Sequence, residues 1–91
     1  MKSILQNDKV CFLCGRTSGL ECHHIFGGVA NRKLSEKYGL KVWLCHNCHT
    51  GKAGAQYDPQ KNKVLKIYAQ TAFERTHSRE EWMQIFGKNY L

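Results

Sequence analysis

The sequence predicts a small α+β domain stabilised by zinc, in which a strand, a loop, a second strand and a short helix surround a four-cysteine site and two C-terminal helices follow. Three observations predict it. Cys11-x-x-Cys14 and Cys45-x-x-Cys48 are two half-sites that can close a tetrahedron of thiolates around one ion. Short apolar segments lie just before the second half-site, and from residue 58 onward the apolar residues fall at helical spacing behind a capping signal. A chain of 91 residues leaves too much surface exposed for its core to stabilise it unaided, so a metal staple also answers a physical need.

The elements follow in order. Residues 1–10 are mostly polar and read as a tail, 11–58 as the zinc-bound core, and 59–91 as a helical extension of the same single domain. Gly15 permits the tight turn behind the first half-site. Residues 20–26 read as a strand that ends at Gly27-Gly28, and 41–44 as a second strand running directly into Cys45. The insert from Asn31 to Tyr38 fits one or two helical turns, with Leu34 and Tyr38 as its inward pair. Cys48 and His49 open a short helix. Asp58 caps a longer one with Pro59 in its first position, and Val64, Tyr68 and Ala72 with Leu65, Ala69 and Phe73 form its apolar face. Ser78-Arg79-Glu80-Glu81 spells a capping box for a last helix carrying Trp82, Met83, Ile85 and Phe86 and stopped by Gly87. The aromatics of these two helices are expected in the core. No detachable repeat or low-complexity tract is present.

Fourteen Lys and Arg against seven Asp and Glu give a formal charge of +7, spread along the chain. Such a surplus suits contact with phosphates, though it serves solubility equally well. No apolar run is long enough for a signal peptide or a membrane span, and the thiols suit a reducing compartment, so a cytoplasmic, intracellular protein is expected. Redox dithiols need a thioredoxin-like setting, and disulfides need an oxidising compartment; neither is suggested.

Four cysteines satisfy one structural Zn2+ and leave Cys22 over, expected as a small buried residue on the face opposite His23. The imidazoles are then free for a second ion or for proton transfer. Strand alternation sends His23 and His24 to opposite faces, so both can serve one site only near a strand end, which Gly27-Gly28 supplies. His46, inside the second half-site, is expected on the surface.

Cys-x-x-Cys, then Cys22-His23-His24-Ile25, then Leu44-Cys45-x-x-Cys48-His49 resembles the HNH endonucleases, the zinc-stapled branch of the His-Me finger (ββα-metal) nucleases. The likeness covers about residues 11–58. His23-His24-Ile25-Phe26-Gly27-Gly28 with Asn31-Arg32, and the closing residues 85–91, are similar to small phage-type HNH proteins and extend it more weakly. The resemblance implies metal-dependent hydrolysis of DNA phosphodiesters. Under it His24 is the general base that activates water, and His23 and His49 hold one catalytic divalent ion, Mg2+, Mn2+, Ni2+ or Zn2+. Asn31 matches the phage-type pattern and is expected to hold the active-site loop. Arg32, Lys33 and Lys52 are the candidate nucleic-acid contacts.

Two positions depart from the family pattern. The stretch Tyr38-Gly39-Leu40-Lys41-Val42 lacks the usual asparagine, for which Asn31 or Asn47 would stand in, and Gln56 stands where relatives often carry a further histidine ligand; its amide oxygen is the candidate third ligand of the divalent ion, a weaker one than imidazole, with water, His46 or Asp58 as alternatives. The expected partner is DNA, with no membrane and no small-molecule substrate, for a monomer or homodimer. The rival readings are a zinc-binding nucleic-acid-binding module that has lost turnover and a zinc-stapled protein-interaction module.

Overall fold

A computed structural model describes residues 1–51 and 54–91. Its elements are β1 (Leu20–His24), α1 (Val29–Tyr38), β2 (Lys41–Cys45), α2 (His46–His49), α3 (Pro59–Phe73) and α4 (Arg79–Phe86). Among the described residues they form one two-stranded antiparallel sheet and four helices, an α+β fold. The N-terminal part is a small ββα-like arrangement with α1 set between its strands. In the β1–β2 register Cys22 faces Trp43, His23 faces Val42 and His24 faces Lys41.

β1 stops at His24, two residues short of the expected end, because Phe26 leaves the ladder. Both backbone groups of Phe26 bond instead to one side chain: its N–H donates to Ser35 Oγ at 3.1 Å, and Ser35 Oγ donates back to its carbonyl at 3.0 Å. The partner lies on α1, which spans ten residues where one or two turns were expected. Its fully buried residue is therefore Ser35, while Leu34 and Tyr38, the expected inward pair, are half-buried. A buried main chain needs its hydrogen bonds more than the helix needs another apolar contact. Gly39 ends α1 in the left-handed conformation at φ 70°, and a side chain there would meet the backbone of Ile4 at 3.2 Å.

That contact belongs to the first residues, which were expected as a polar tail. Ser3 Oγ donates to the Lys41 carbonyl, the Ile4 N–H to the Gly39 carbonyl, and the Trp43 N–H to Gln6 Oε1. Residues 3–6 thus lie against β2 and the turn before it.

The cap of α3 forms as its sequence predicts, with Asp58 accepting from the Gln60 and Lys61 N–H groups and Pro59 in the first turn. Its apolar face is narrower than expected. Leu65, Ala69, Ala72 and Phe73 are buried together with Gln70, whereas Val64 is 41% and Tyr68 52% exposed. The helix turns the Leu65 stripe inward, and Tyr68 is left to meet Phe12 edge-on at 5.5 Å. α4 has the predicted capping box between Ser78 and Glu81 and ends at Gly87, with Trp82 buried and Met83 exposed rather than packed.

The core is aromatic. Trp82 has no exposed surface, lies 5.5 Å from the Phe26 ring, 5.3 Å from Phe73 and 4.2 Å from Phe86, and gives its indole N–H to the Lys88 carbonyl. Burying a side chain such as Phe73 contributes about 1.5–3 kcal/mol, and T-shaped pairs add up to about 1 kcal/mol each. Because Phe26 lies only two residues beyond β1, this cluster fixes the end of the histidine-bearing strand.

Candidate metal centre and histidine cleft

The four predicted cysteines converge. One sulfur from each of Cys11, Cys14, Cys45 and Cys48 lies within 4.8 Å of all the others, with Cys14 and Cys45 3.6 Å apart. Local bonds build the first half-site: the Cys11 N–H donates to the Arg16 carbonyl, the Gly15 N–H to the Cys11 carbonyl, and the Phe12 N–H to Trp43 of β2. The second half-site lies across the β2–α2 junction. Such a cluster can hold a structural metal such as zinc, and the chemistry of the donors fits it. Burial raises the Cys11 thiol, but backbone N–H donors from Cys45, Cys14 and Leu13 outweigh it and bring it down to about 6. Burial and the three neighbouring sulfurs push Cys48 up to about 12. A cluster in which one thiol ionises readily and another resists until a cation arrives has the electrostatics of an ion site. Among the described residues this is the one group of three or more His, Cys, Asp or Glu side chains close enough to hold an ion.

A separate cleft of about 480 Å³ is lined by His23, His24 and His49 together with Arg32, Gln56 and Asn62. Alternation does separate the paired histidines. His23 faces α2, where its ring meets that of His49 edge-on at 5.0 Å. His24 faces α1, where its Nε2 lies 2.6 Å from Glu36 Oε1. Both reach the one cleft because β1 ends at His24.

Each imidazole has a distinct electrostatic setting. Burial, then the nearby His49 and His24, brings His23 down to about 4, so it is neutral at pH 7, and its Nε2 is buried with no hydrogen-bond partner among the described residues. An orphaned nitrogen on a neutral ring is what an ion ligand looks like before the ion is bound. His49 Nδ1 lies 2.7 Å from Glu21 Oε1. The hydrogen bond from His49, followed by that from His46, holds Glu21 below the usual carboxylate range. An ionised carboxylate only accepts, so the Nδ1 of His49 carries the shared proton and its Nε2 is the ring atom left to face an ion, as carboxylates orient metal-binding imidazoles elsewhere. Glu36 is held down at about 2, first by Lys41 at 2.8 Å and then by His24. By the same reasoning His24 donates to Glu36 through Nε2, which leaves Nδ1 as the ring atom not engaged by that carboxylate.

The remaining predicted residues divide. Gln56 is exposed and lines the cleft, and its N–H donates to the His49 carbonyl; Arg32 also lines it. Asn31 and Lys33 lie exposed on α1, outside the cleft lining. Lys52 lies outside the described residues. Cys22, expected to be buried, is exposed, with its sulfur 3.4 Å from that of Met1, because the face of β1 opposite His23 is only partly covered. His46 is on the surface as expected, 70% exposed.

Three residues escaped the sequence reading. Glu21 had a usable signal, since alternation places it on the His23 face two residues upstream. Lys41 and Glu36 did not, because their pairing with His24 depends on strand register and on the full length of α1. Gly54 is also part of the construction: a side chain there would lie 2.6 Å from the His49 carbonyl oxygen.

No family model matches the chain, and no curated protein or solved structure does so either. The site is therefore read from its own chemistry. Among the described residues, no helix is long and apolar enough to cross a membrane.

Proposed function

We propose that this protein is a metal-dependent DNA endonuclease of the HNH, His-Me finger kind. The observation that carries the reading is the meeting of His23, His24 and His49 in one cleft, two of them oriented by a carboxylate and the third buried with its Nε2 unpartnered among the described residues. His23 and His49 would hold one divalent ion, with Gln56 close by and waters completing the shell. Such an ion supplies charge stabilisation for the phosphate oxygens and the departing oxygen. A structural zinc in the four-cysteine site would fix α2, and with it His49, against β1.

The chain's own residues supply the rest. His24, held by Glu36 through Nε2, accepts a proton from water at Nδ1, and the Glu36 carboxylate stabilises the imidazolium that results. Lys41 keeps Glu36 ionised throughout. Arg32 at the cleft neutralises a phosphate oxygen and aligns the backbone. Hydrolysis would leave 5'-phosphate and 3'-hydroxyl ends, by analogy with the HNH family.

One observation favours the rival reading of a nucleic-acid-binding module without turnover. Among the described residues, no third histidine, cysteine or carboxylate joins His23 and His49. Cleavage assays on supercoiled plasmid and on single-stranded circular DNA with Mg2+, Mn2+ or Ni2+ separate the two. The nuclease reading expects nicking, reduced at least about 100-fold by His24→Ala, the lower range for loss of a general base. Absence of cutting with every ion, or cutting by His24→Ala at the parental rate, overturns it; salt-sensitive DNA binding without cutting would establish the rival.

A further inference from the structure

Next to the histidine cleft lies a larger one of about 800 Å³, and Gln56 and Asn62 line both, so the two adjoin along these side chains. Lys63 and Lys66, one turn apart on α3, are on one wall, and Lys88, beyond α4, is on the other. Lys66 and Lys88 flank the Tyr90 ring, with their ammonium nitrogens 5.7 and 5.3 Å from its centroid. Among the lining side chains these three cations meet one carboxylate, Asp58, whose Oδ1 is already engaged by the N–H groups at the start of α3. Tyr57 lines the same groove and is 63% exposed.

The second wall is held firmly. Fully buried Gln70 donates to Asn89 Oδ1 at 2.8 Å and accepts the Tyr90 N–H at 2.7 Å, while buried Trp82 donates to the Lys88 carbonyl. Residues 88–90 are thus pinned to α3 and α4 by core side chains. Like charges gathered on two fixed walls with little counter-charge form a favourable seat for a polyanion.

We infer that this lysine-lined groove binds single-stranded DNA, carrying the strand from the histidine cleft along α3. The inference rests on the proposed DNA-cutting function and names the form of DNA it takes. Duplex DNA is read by an element that protrudes into a groove of the helix. Here the cations line a concavity and an exposed tyrosine offers a face on which an unpaired base can stack, which is the arrangement that single strands use.

The test uses the 91-residue, zinc-loaded His24→Ala protein, so that no substrate is consumed. Labelled single-stranded and duplex oligonucleotides of the same sequence are titrated by fluorescence anisotropy across a salt series. The single strand is expected to bind more tightly. In a Lys63→Gln, Lys66→Gln, Lys88→Gln background, loss of three phosphate contacts should flatten the slope of log K against log salt by about 2 and weaken binding roughly 100-fold at 0.1 M salt. If that variant fails to fold because Lys66 packs on Tyr90, the double Lys63→Gln, Lys88→Gln protein, which leaves Lys66 in place, should show a slope change of about 1.4. Tighter binding of duplex, or an unchanged slope in the folded variant, overturns the inference. Cutting of single-stranded circular DNA and of plasmid by otherwise wild-type protein is scored separately. Cutting with an unchanged slope would sink the groove and spare the nuclease; a changed slope without cutting would do the reverse.

Discussion

Replacing Ser35 by alanine removes one oxygen and strands two backbone groups. The Phe26 N–H and carbonyl both bond to that hydroxyl, Ser35 has no exposed surface, and Phe26 is 5% exposed, so water cannot readily take its place. Each unsatisfied buried group costs about 1–3 kcal/mol. Alanine's better helix propensity returns about 0.5 kcal/mol. Allowing for partial relaxation, Ser35→Ala should lose about 2–4 kcal/mol, which in a domain of this size lowers Tm by about 10–25 °C. Urea and thermal unfolding with zinc held in fixed excess measure it, the excess being needed because bound metal adds stability by mass action. Ser78→Ala is the internal comparison: it also loses a hydroxyl bonded to a backbone N–H, but at an exposed helix cap, where about 1 kcal/mol is expected. A Ser35→Ala protein within about 0.5 kcal/mol of the parent, or no worse than Ser78→Ala, would refute the claim that this hydroxyl secures the end of β1.

Further outcomes follow from the two sites. Zinc uptake at pH 7.5 should release at least about two protons, because Cys48 lies at about 12 and Cys14 is also raised, while Cys11 at about 6 is already ionised; occupancy should fall as pH drops through 6. Calorimetry in buffers of different ionisation enthalpy reads the release, and a proton-neutral binding reaction contradicts it. The His23 ring should stay neutral from pH 8 to 5, as read from its ring nitrogen shifts. Since the unfolded chain protonates it near 6.5 and the folded chain near 4, stability conferred above 6.5 is lost as pH falls through that interval. His23→Gln should lose this contribution to the acid slope, and a ring titrating near 6.5 in the folded protein would show that it is not buried. Gly54→Ala should destabilise by about 1–3 kcal/mol, the usual cost of overpacking, because the new methyl meets the His49 carbonyl; an unchanged urea midpoint would mean that this turn yields freely.

Much of the frame is legible in the residues themselves. The cysteine spacing, the Asp58-Pro59 start of α3 and the Ser78 capping box are local statements, and local geometry honours them. The face of α3 is less legible because two apolar stripes, led by Val64 and Leu65, run one residue apart. Neighbouring residues differ by only about 100° around a helix, so the choice falls to the partner surface. Ser35 defeats pattern reading for another reason: its burial answers the unpaired main chain at Phe26, nine residues away. In the cleft, the histidines carry their own chemical signal, while Glu36 and Lys41 resemble ordinary surface charges until register sets Lys41 opposite His24.

β1 behaves as a partition with an imidazole on each side. His23 answers to α2 and Glu21, His24 to α1 and Glu36, and the two meet only where the strand runs out. Substitutions in α1 can therefore reach one imidazole while leaving the other's surroundings intact, and changes around α2 can do the converse. Such separation gives variation two nearly independent dials on a single cleft, one for how firmly a ring is oriented and one for how dry its neighbour is kept.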